Sequence, residues 1–285
     1  MIRLLVVGVT ALSLLSGYEG GVEEWRADRE KGLKAEDGWL SLSGLFWLNE
    51  GENRIGSKAG ARVQLPEGFP ADVGVLFRKG DVVTFRAAEG AAVKLNGEST
   101  RAAELRTDRS GKPDQLWIGR LRLHVIQRGT KLGVRMKDPQ SEARTHFTGL
   151  KWFPIQDDWR VDAKFVPKPR KLVVDAQAGD KQNYDSPGYV EWTRGGRTLR
   201  LTPVTEGDQL FFIFKDATSG KSTYAAARFI YTDMPKDGRV LLDFNKAYNP
   251  PCVFTPYATC PLPPPENRMT IAVEAGEKMY VGHGK

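Results

Sequence analysis

Between residues 51 and 138 the chain is a string of short apolar runs, each closed by a turn sequence, and that pattern constrains the fold most. Arg62-Val-Gln-Leu precedes Pro66 and Pro70. Residues 73–77 lead through Lys79-Gly80-Asp81 into 82–85 as a hairpin partner. Residues 93–95 run into Asn96-Gly97, the strongest two-residue hairpin signal, because both central residues of that turn need positive φ. Residues 116–118 and 121–126 flank Gly119-Arg120, and 132–136 follow Arg128-Gly129. Such regular spacing predicts a β-sandwich over residues 49–148. Thirty glycines and 17 prolines extend the same argument to the rest of the chain, favouring short strands over long helices.

The second part, residues 149–285, again reads as β-structure. Residues 189–193 and 197–203 flank Gly195-Gly196 as a clear hairpin. Residues 210–215 and 223–231 flank the loop Asp216-Ala-Thr-Ser-Gly220, residues 240–245 form a further strand, and 271–274 a last one. Residues 147–165 are a connector with Trp152, Phe153, Trp159 and Phe165, kept from long helix by Pro154, Pro167 and Pro169. The predicted class is therefore all-β: two sandwich- or barrel-like domains, the second carrying a proline-rich loop. Ahead of them, residues 23–36 read as a short helix with alternating charges that must pack by one edge, and Gly38 ends it. Residues 39–48 form a half-buried strand with Leu40, Leu42, Phe46 and Leu48 on one phase, so 23–48 make up an N-terminal helix and strand.

The first 18 residues have the order of an export signal. Arg3 is followed by the uncharged run 4–15 and then the small pair Ser16-Gly17. Leu14-Leu15-Ser16-Gly17 resembles a bacterial lipoprotein box, but Tyr18 stands where the lipid-bearing cysteine would be, so no thioether-linked anchor can form. The expected location is the periplasm or cell envelope. The only two cysteines, Cys252 and Cys260, fit an oxidising compartment and read as a disulfide, worth about 2–3 kcal/mol for so short a loop. A metal site would need further ligands, and His124, His146 and His283 lack ligand spacing, so neither metal nor cofactor is expected.

Charge narrows the partners. The net formal charge is +7, with 42 basic and 35 acidic residues, yet the basic residues are scattered among acidic ones. This allows peripheral membrane association but supplies no nucleic-acid footprint. Gly220-Lys221-Ser222 is not a phosphate loop, since Lys215 stands where the first glycine is required and a strand follows. No nucleophile-elbow or zinc-protease motif occurs.

Two constellations carry candidate chemistry. Alternation along 223–231 puts Tyr224, Ala226, Arg228 and Ile230 on one face. A charged Arg228 among apolar neighbours is costly if buried without a partner. It either lines a cavity for an anion, with Tyr224, Asp216 and Thr218 around it, or pairs structurally with Asp216, Asp243 or Glu266. The second constellation is the segment 245–267, whose Asn245, Tyr248, Asn249, Tyr257 and Asn267 form either a pocket rim or a lid over a sheet edge. Together these predict a small anionic or amphipathic ligand in the C-terminal domain. A cofactor-free hydrolase using Asp216, Tyr224 and Arg228, and a cell-envelope scaffold, are the alternatives.

Two resemblances bear on this. The N-terminal layout is similar to the scaffold of forkhead-associated domains, through Arg54-Ile55-Gly56 and Asn96-Gly97. The phosphothreonine-reading Ser-x-x-His of those domains is absent, and Ser57 replaces an expected arginine, so the resemblance implies a scaffold without phosphopeptide binding. The text from Asp243-Phe-Asn-Lys-Ala-Tyr-Asn-Pro-Pro-Cys252 through Cys260-Pro-Leu-Pro-Pro-Pro-Glu-Asn-Arg268 resembles domain-of-unknown-function family 1684. Phe214-Lys-Asp-Ala-Thr-Ser-Gly220, Thr223-Tyr224, Arg228 and Gly38-Trp-Leu-Ser-Leu-Ser-Gly-Leu-Phe-Trp-Leu48 extend that resemblance over nearly the whole chain after the leader. It implies a bacterial or archaeal origin and transfers no activity.

Overall fold

A computed structural model describes residues 7–282 except 178 and 180, with side chains from residue 17 onward. The start of the expected leader, residues 1–6, lies outside the described residues. The first element is a helix, α1 (Val7–Lys34), longer than the expected 23–36. No described helix is long and apolar enough to cross a membrane. Along α1, Val22, Arg26 and Leu33 are buried and Trp25 and Arg29 half-buried, which is one helical stripe. The helix thus packs by a single edge, and much of that edge is polar.

The chain divides into two compact units. One comprises residues 34–147 with 254–258, and the other residues 1–33, 148–253 and 259–285. The N-terminal unit contains β1 (Leu42–Trp47), β2 (Gly51–Gly56), β3 (Val63–Gln64), β4 (Gly74–Lys79), β5 (Val82–Ala87), β6 (Lys94–Leu95), β7 (Glu98–Ser99), β8 (Ala102–Glu104), β9 (Gln115–Ile118), β10 (Leu121–Arg128) and β11 (Lys131–Lys137). One sheet has the order β1-β11-β10-β9-β6-β7 and the other β3-β2-β4-β5-β8. Their inner faces share one core, with Ile55, Leu76, Val83 and Phe85 from one sheet and Leu116, Leu123, Val125 and Val134 from the other. The Asn-Gly turn forms as expected: Asn96 and Gly97 take φ of 51° and 99° between β6 and β7.

The C-terminal unit contains β12 (Arg160–Asp175), β13 (Lys181–Arg194), β14 (Arg197–Leu201), β15 (Val204–Glu206), β16 (Gln209–Phe214), β17 (Arg228–Asp233) and β18 (Arg239–Asp243). They form a four-stranded sheet, β14-β13-β12-β18, and a three-stranded one, β15-β16-β17. Ala163, Val190, Trp192, Leu201, Val240 and Leu242 of the first sheet meet Leu210, Phe212, Phe214 and Ile230 of the second.

Three expectations change here. The long strand β12 takes in residues 160–165 at the end of the expected connector and runs on through Pro167 and Pro169, and its register with β13 shifts between Pro167 and Arg170. The bulge starts at Pro167, the last paired residue before it, and leaves Pro169 out of the ladder, which is how a strand tolerates prolines. Gly188, opposite Pro167, has φ of 159°, and a Cβ there would lie 2.2 Å from the Val166 carbonyl oxygen. Only glycine fits that approach. The expected strand 223–231 begins only at Arg228, because the Gly220 amide donates back to the Thr223 carbonyl at 3.0 Å and coils the preceding residues. The expected strand 271–274 is irregular chain, with the Ala217 amide donating to the Ile271 carbonyl at 2.9 Å.

Candidate functional site

Arg228 opens β17 and points into the core, fully buried. Its partner is Asp216, one of the partners expected from sequence: Nη1 donates to Asp216 Oδ2 at 3.0 Å and to the Val273 carbonyl at 2.9 Å. Nη2 donates to the Ala275 carbonyl. Asp216 Oδ1 accepts from the Thr218 amide at 2.8 Å, the Thr218 hydroxyl at 2.6 Å and the Val273 amide at 3.2 Å. Thr218 and Thr223 share a further hydrogen bond at 2.7 Å. Burial pulls the guanidinium below its usual range, and Asp216 opposes that pull. Both charged groups are partnered within the protein, with Arg228 Nε alone lacking a hydrogen bond among the described residues. The ion pair, not an anion-lined cavity, is what Arg228 makes. Asp216 and Arg228, two of the three residues named for a hydrolase, are paired with each other.

The segment 245–267 is also largely structural. Asn245 accepts from the Gln156 amide at 3.0 Å, and its Nδ2 donates to the Gln156 carbonyl at 2.8 Å and the Tyr18 hydroxyl at 2.9 Å. Tyr18 in turn donates to Asp243 at 2.9 Å. Asn267 accepts from the Thr202 amide and donates to the Thr202 and Ile213 carbonyls, each at 2.8 Å. Tyr257 belongs to the short segment 254–258, which is grouped with the N-terminal unit.

Asn249 and Tyr248 lead elsewhere. Asn249 Nδ2 donates to Glu277 Oε1 at 2.8 Å, and Glu277, fully buried, receives Arg29 Nε of α1 at 2.7 Å. Burial raises the Glu277 carboxyl above its usual range, against Arg29 and Asn249, which lower it. Asn249 Oδ1 has no hydrogen-bond partner among the described residues. Gly276 permits this arrangement with φ of 77°, where a Cβ would lie 2.3 Å from the Ala247 carbonyl oxygen. The Arg29 guanidinium also sits over the Tyr248 ring, 4.2 Å from its centroid.

Tyr248 continues the β16–β17 sheet. Its backbone bridges Phe229, with both amide–carbonyl bonds made at 2.9 and 3.0 Å. Strand alternation then sets one face: Phe211 pairs with Tyr231, Ile213 with Phe229, and Phe229 with Tyr248. Phe211 and Tyr231 stack at 4.5 Å and 11°, and Tyr231 and Tyr248 lie parallel at 6.5 Å and 13°. Phe211 and Phe229 are buried, whereas Tyr231 is 37% exposed. The Tyr231 hydroxyl donates to Glu206 of β15 at 2.7 Å. Burial raises both tyrosine hydroxyls, most for Tyr231, so both stay protonated donors. Of this platform, sequence reasoning named only Tyr248. The signal for Phe229 and Tyr231 was the other phase of the same alternation that drew attention to Arg228.

The cysteines adjoin it. No S–S bond joins them, so the expected disulfide is not formed here. They are nevertheless neighbours, with the Cys252 amide donating to Cys260 Sγ at 3.3 Å. Cys252 is half-buried and Cys260 buried. The neighbouring Cys260 thiol and then the Tyr224 hydroxyl hold the Cys252 thiol below its usual range against burial. Tyr224 itself is pushed up to about 12, chiefly by burial and then by Cys252.

Residues 145–278 match the model of the family described as "Protein of unknown function (DUF1684)". The match spans about half of the chain, narrower than the nearly whole chain that the sequence resemblance implied. The solution NMR structure of the uncharacterized protein from gene locus rrnAC0354 of Haloarcula marismortui is 31% identical, with 47% of this chain and 78% of that chain covered and a TM-score of 0.40. No curated protein matches this chain.

Proposed function

We propose that the C-terminal unit is a binding module for a small amphipathic ligand held on the Tyr231–Tyr248 face. The ligand's apolar body lies against the two parallel rings, and its polar end meets Glu206. The observation that carries this is an aromatic row with buried inner members and a 37% exposed outer ring, edged by charged groups on both sides. Glu206 and Glu277 flank the row, and Arg29 is already committed to Glu277. This charge pattern favours a neutral or hydrogen-bond-donating head over the anionic one expected at Arg228. The rest of the reading is export, supported by the order of Arg3, the run 4–15 and Ser16-Gly17, with a disulfide closing between the two thiols in an oxidising compartment. For the N-terminal unit the reading is a scaffold, on the placing of Arg54-Ile55-Gly56 and Asn96-Gly97.

The test is titration of the full chain with N-phenyl-1-naphthylamine, a neutral amphipathic fluorophore. Loss of one aromatic stack is worth about 0.5–1.5 kcal/mol, so Tyr231→Ala weakens binding roughly two- to twelvefold. Equal affinity in Tyr231→Ala and the parent chain would sink the reading. Native mass spectrometry of protein from the envelope fraction would then name any retained molecule.

A further inference from the structure

We propose that Cys252 and Cys260 are a reversible dithiol–disulfide pair, in which Cys252 exchanges with an external disulfide and Cys260 resolves the product. This is independent of the ligand reading, since it needs no occupant on the tyrosine face.

Three observations carry it. The first is juxtaposition: the Cys252 amide donates to the sulfur of Cys260 at 3.3 Å, so the two residues already stand side by side. Both ends of the loop are anchored. Cys252 sits in the short turn Pro251–Val253, and the Cys260 carbonyl accepts the Gln177 amide at 2.9 Å while Leu262 donates to the Asp175 carbonyl at 2.7 Å. The second is asymmetry. Cys252 is half-buried and Cys260 buried, the division of labour that exchange requires. The third is the tyrosine. The Tyr224 hydroxyl neighbours the Cys252 thiol, and it accepts from Gln177 Nε2 at 3.5 Å. A protonated hydroxyl aimed at a sulfur favours the thiolate, the form that attacks.

The step balances as two displacements. The Cys252 thiolate attacks a disulfide R–S–S–R, forming Cys252–S–S–R and releasing RS⁻, which takes up a proton from solvent. Cys260 then loses its proton and attacks the Cys252 sulfur, expelling the second RS⁻. The protein pair is oxidised by two electrons and the external disulfide is reduced by two. The external partner is thus a small-molecule or protein disulfide, and excess thiol drives the same steps backward.

The experiment uses the full chain and oxidised glutathione, followed by intact mass. The reduced protein is expected to lose two hydrogens and to regain them in excess reduced glutathione. Cys260→Ser should accumulate a glutathione adduct at Cys252, at least tenfold faster than Cys252→Ser forms one at Cys260. Tyr224→Phe, which keeps the ring, should raise the midpoint of the adduct pH–rate profile by about one unit. A pair that stays oxidised in a large excess of reduced glutathione is a fixed structural link and overturns the proposal. So do equal adduct rates in the two serine variants, or no adduct in either while circular dichroism shows both folded.

Discussion

Replacing Arg228 should unfold the C-terminal unit rather than empty a binding site. Arg228→Met keeps most of the side-chain volume but removes the donors to Asp216, Val273 and Ala275. Asp216 keeps its three donors from Thr218 and Val273, yet its carboxylate remains fully buried without a cation. Breaking a buried pair in this way costs about 3–5 kcal/mol, a large share of the roughly 5–15 kcal/mol that holds a domain folded. Asp216→Asn should cost a similar amount, because its amide then faces the guanidinium. The double variant should be less destabilised than the sum of the two by about 0.5–3 kcal/mol, since each single change strands the same partner. Urea unfolding read by hydrogen exchange on peptides from residues 209–214 and 228–233 isolates this unit from the other. A loss under about 1 kcal/mol in Arg228→Met, with an unchanged urea slope, would refute the account of Arg228 as the tie between β17 and the irregular segment 273–275.

The Arg29–Glu277 pair should respond asymmetrically. Arg29→Met leaves the buried Glu277 carboxylate uncompensated and should cost about 3–5 kcal/mol, whereas Glu277→Gln should cost less, because the Arg29 side chain is 14% exposed and can turn toward solvent. With Arg29 gone, the Glu277 pKa rises further above its unfolded value, so the variant's stability, measured by urea midpoint, should be lost as pH rises through it. In the N-terminal unit, burial and then Lys137 and Arg135 lower His124 from 6.5 to about 4. Its folded pKa is depressed, so the stability it permits is present above about pH 6.5 and falls away down to about pH 4, by up to about 3 kcal/mol. His124→Gln should flatten that limb of the urea-midpoint profile, and an unchanged limb would contradict the assignment. Asp114, held low chiefly by the Arg106 hydrogen bond, contributes its own loss only at lower pH.

How much of this was legible depends on whether a signal is local. Asn96-Gly97 and Gly195-Gly196 were readable because positive φ is demanded by the turn itself, and all four residues adopt it. β12 was hidden because Pro167 and Pro169 lower any strand reading, and only its partner β13, with Gly188 opposite, shows how a bulge accommodates them. Residues 223–227 misled in the other direction. They alternate like a strand, but Thr223 is drawn back to Thr218 by side-chain and backbone bonds at 2.7 and 3.2 Å. A polar side chain competing for the backbone overrode the period.

The site divides along the same line. That Arg228 needed a buried partner followed from its apolar neighbours alone, and Asp216 lay close enough in sequence to be named. Glu277 and Arg29 gave no such hint, because they are 248 residues apart and each is an ordinary charged residue in its own stretch. Both buried ion pairs sit beside irregular chain near the C-terminus, where Val273, Ala275 and Lys278 offer backbone groups that no strand takes up. Burying two charges to satisfy such groups seldom adds net stability over an apolar core. Its effect is positional. Without Arg228 and Glu277 an irregular segment over a sheet face can settle in many ways, whereas with them Asn249 and Tyr248 have one place to be. The aromatic row depends on that placement, so variants that loosen Glu277 should weaken binding at Tyr231 even where the fold survives.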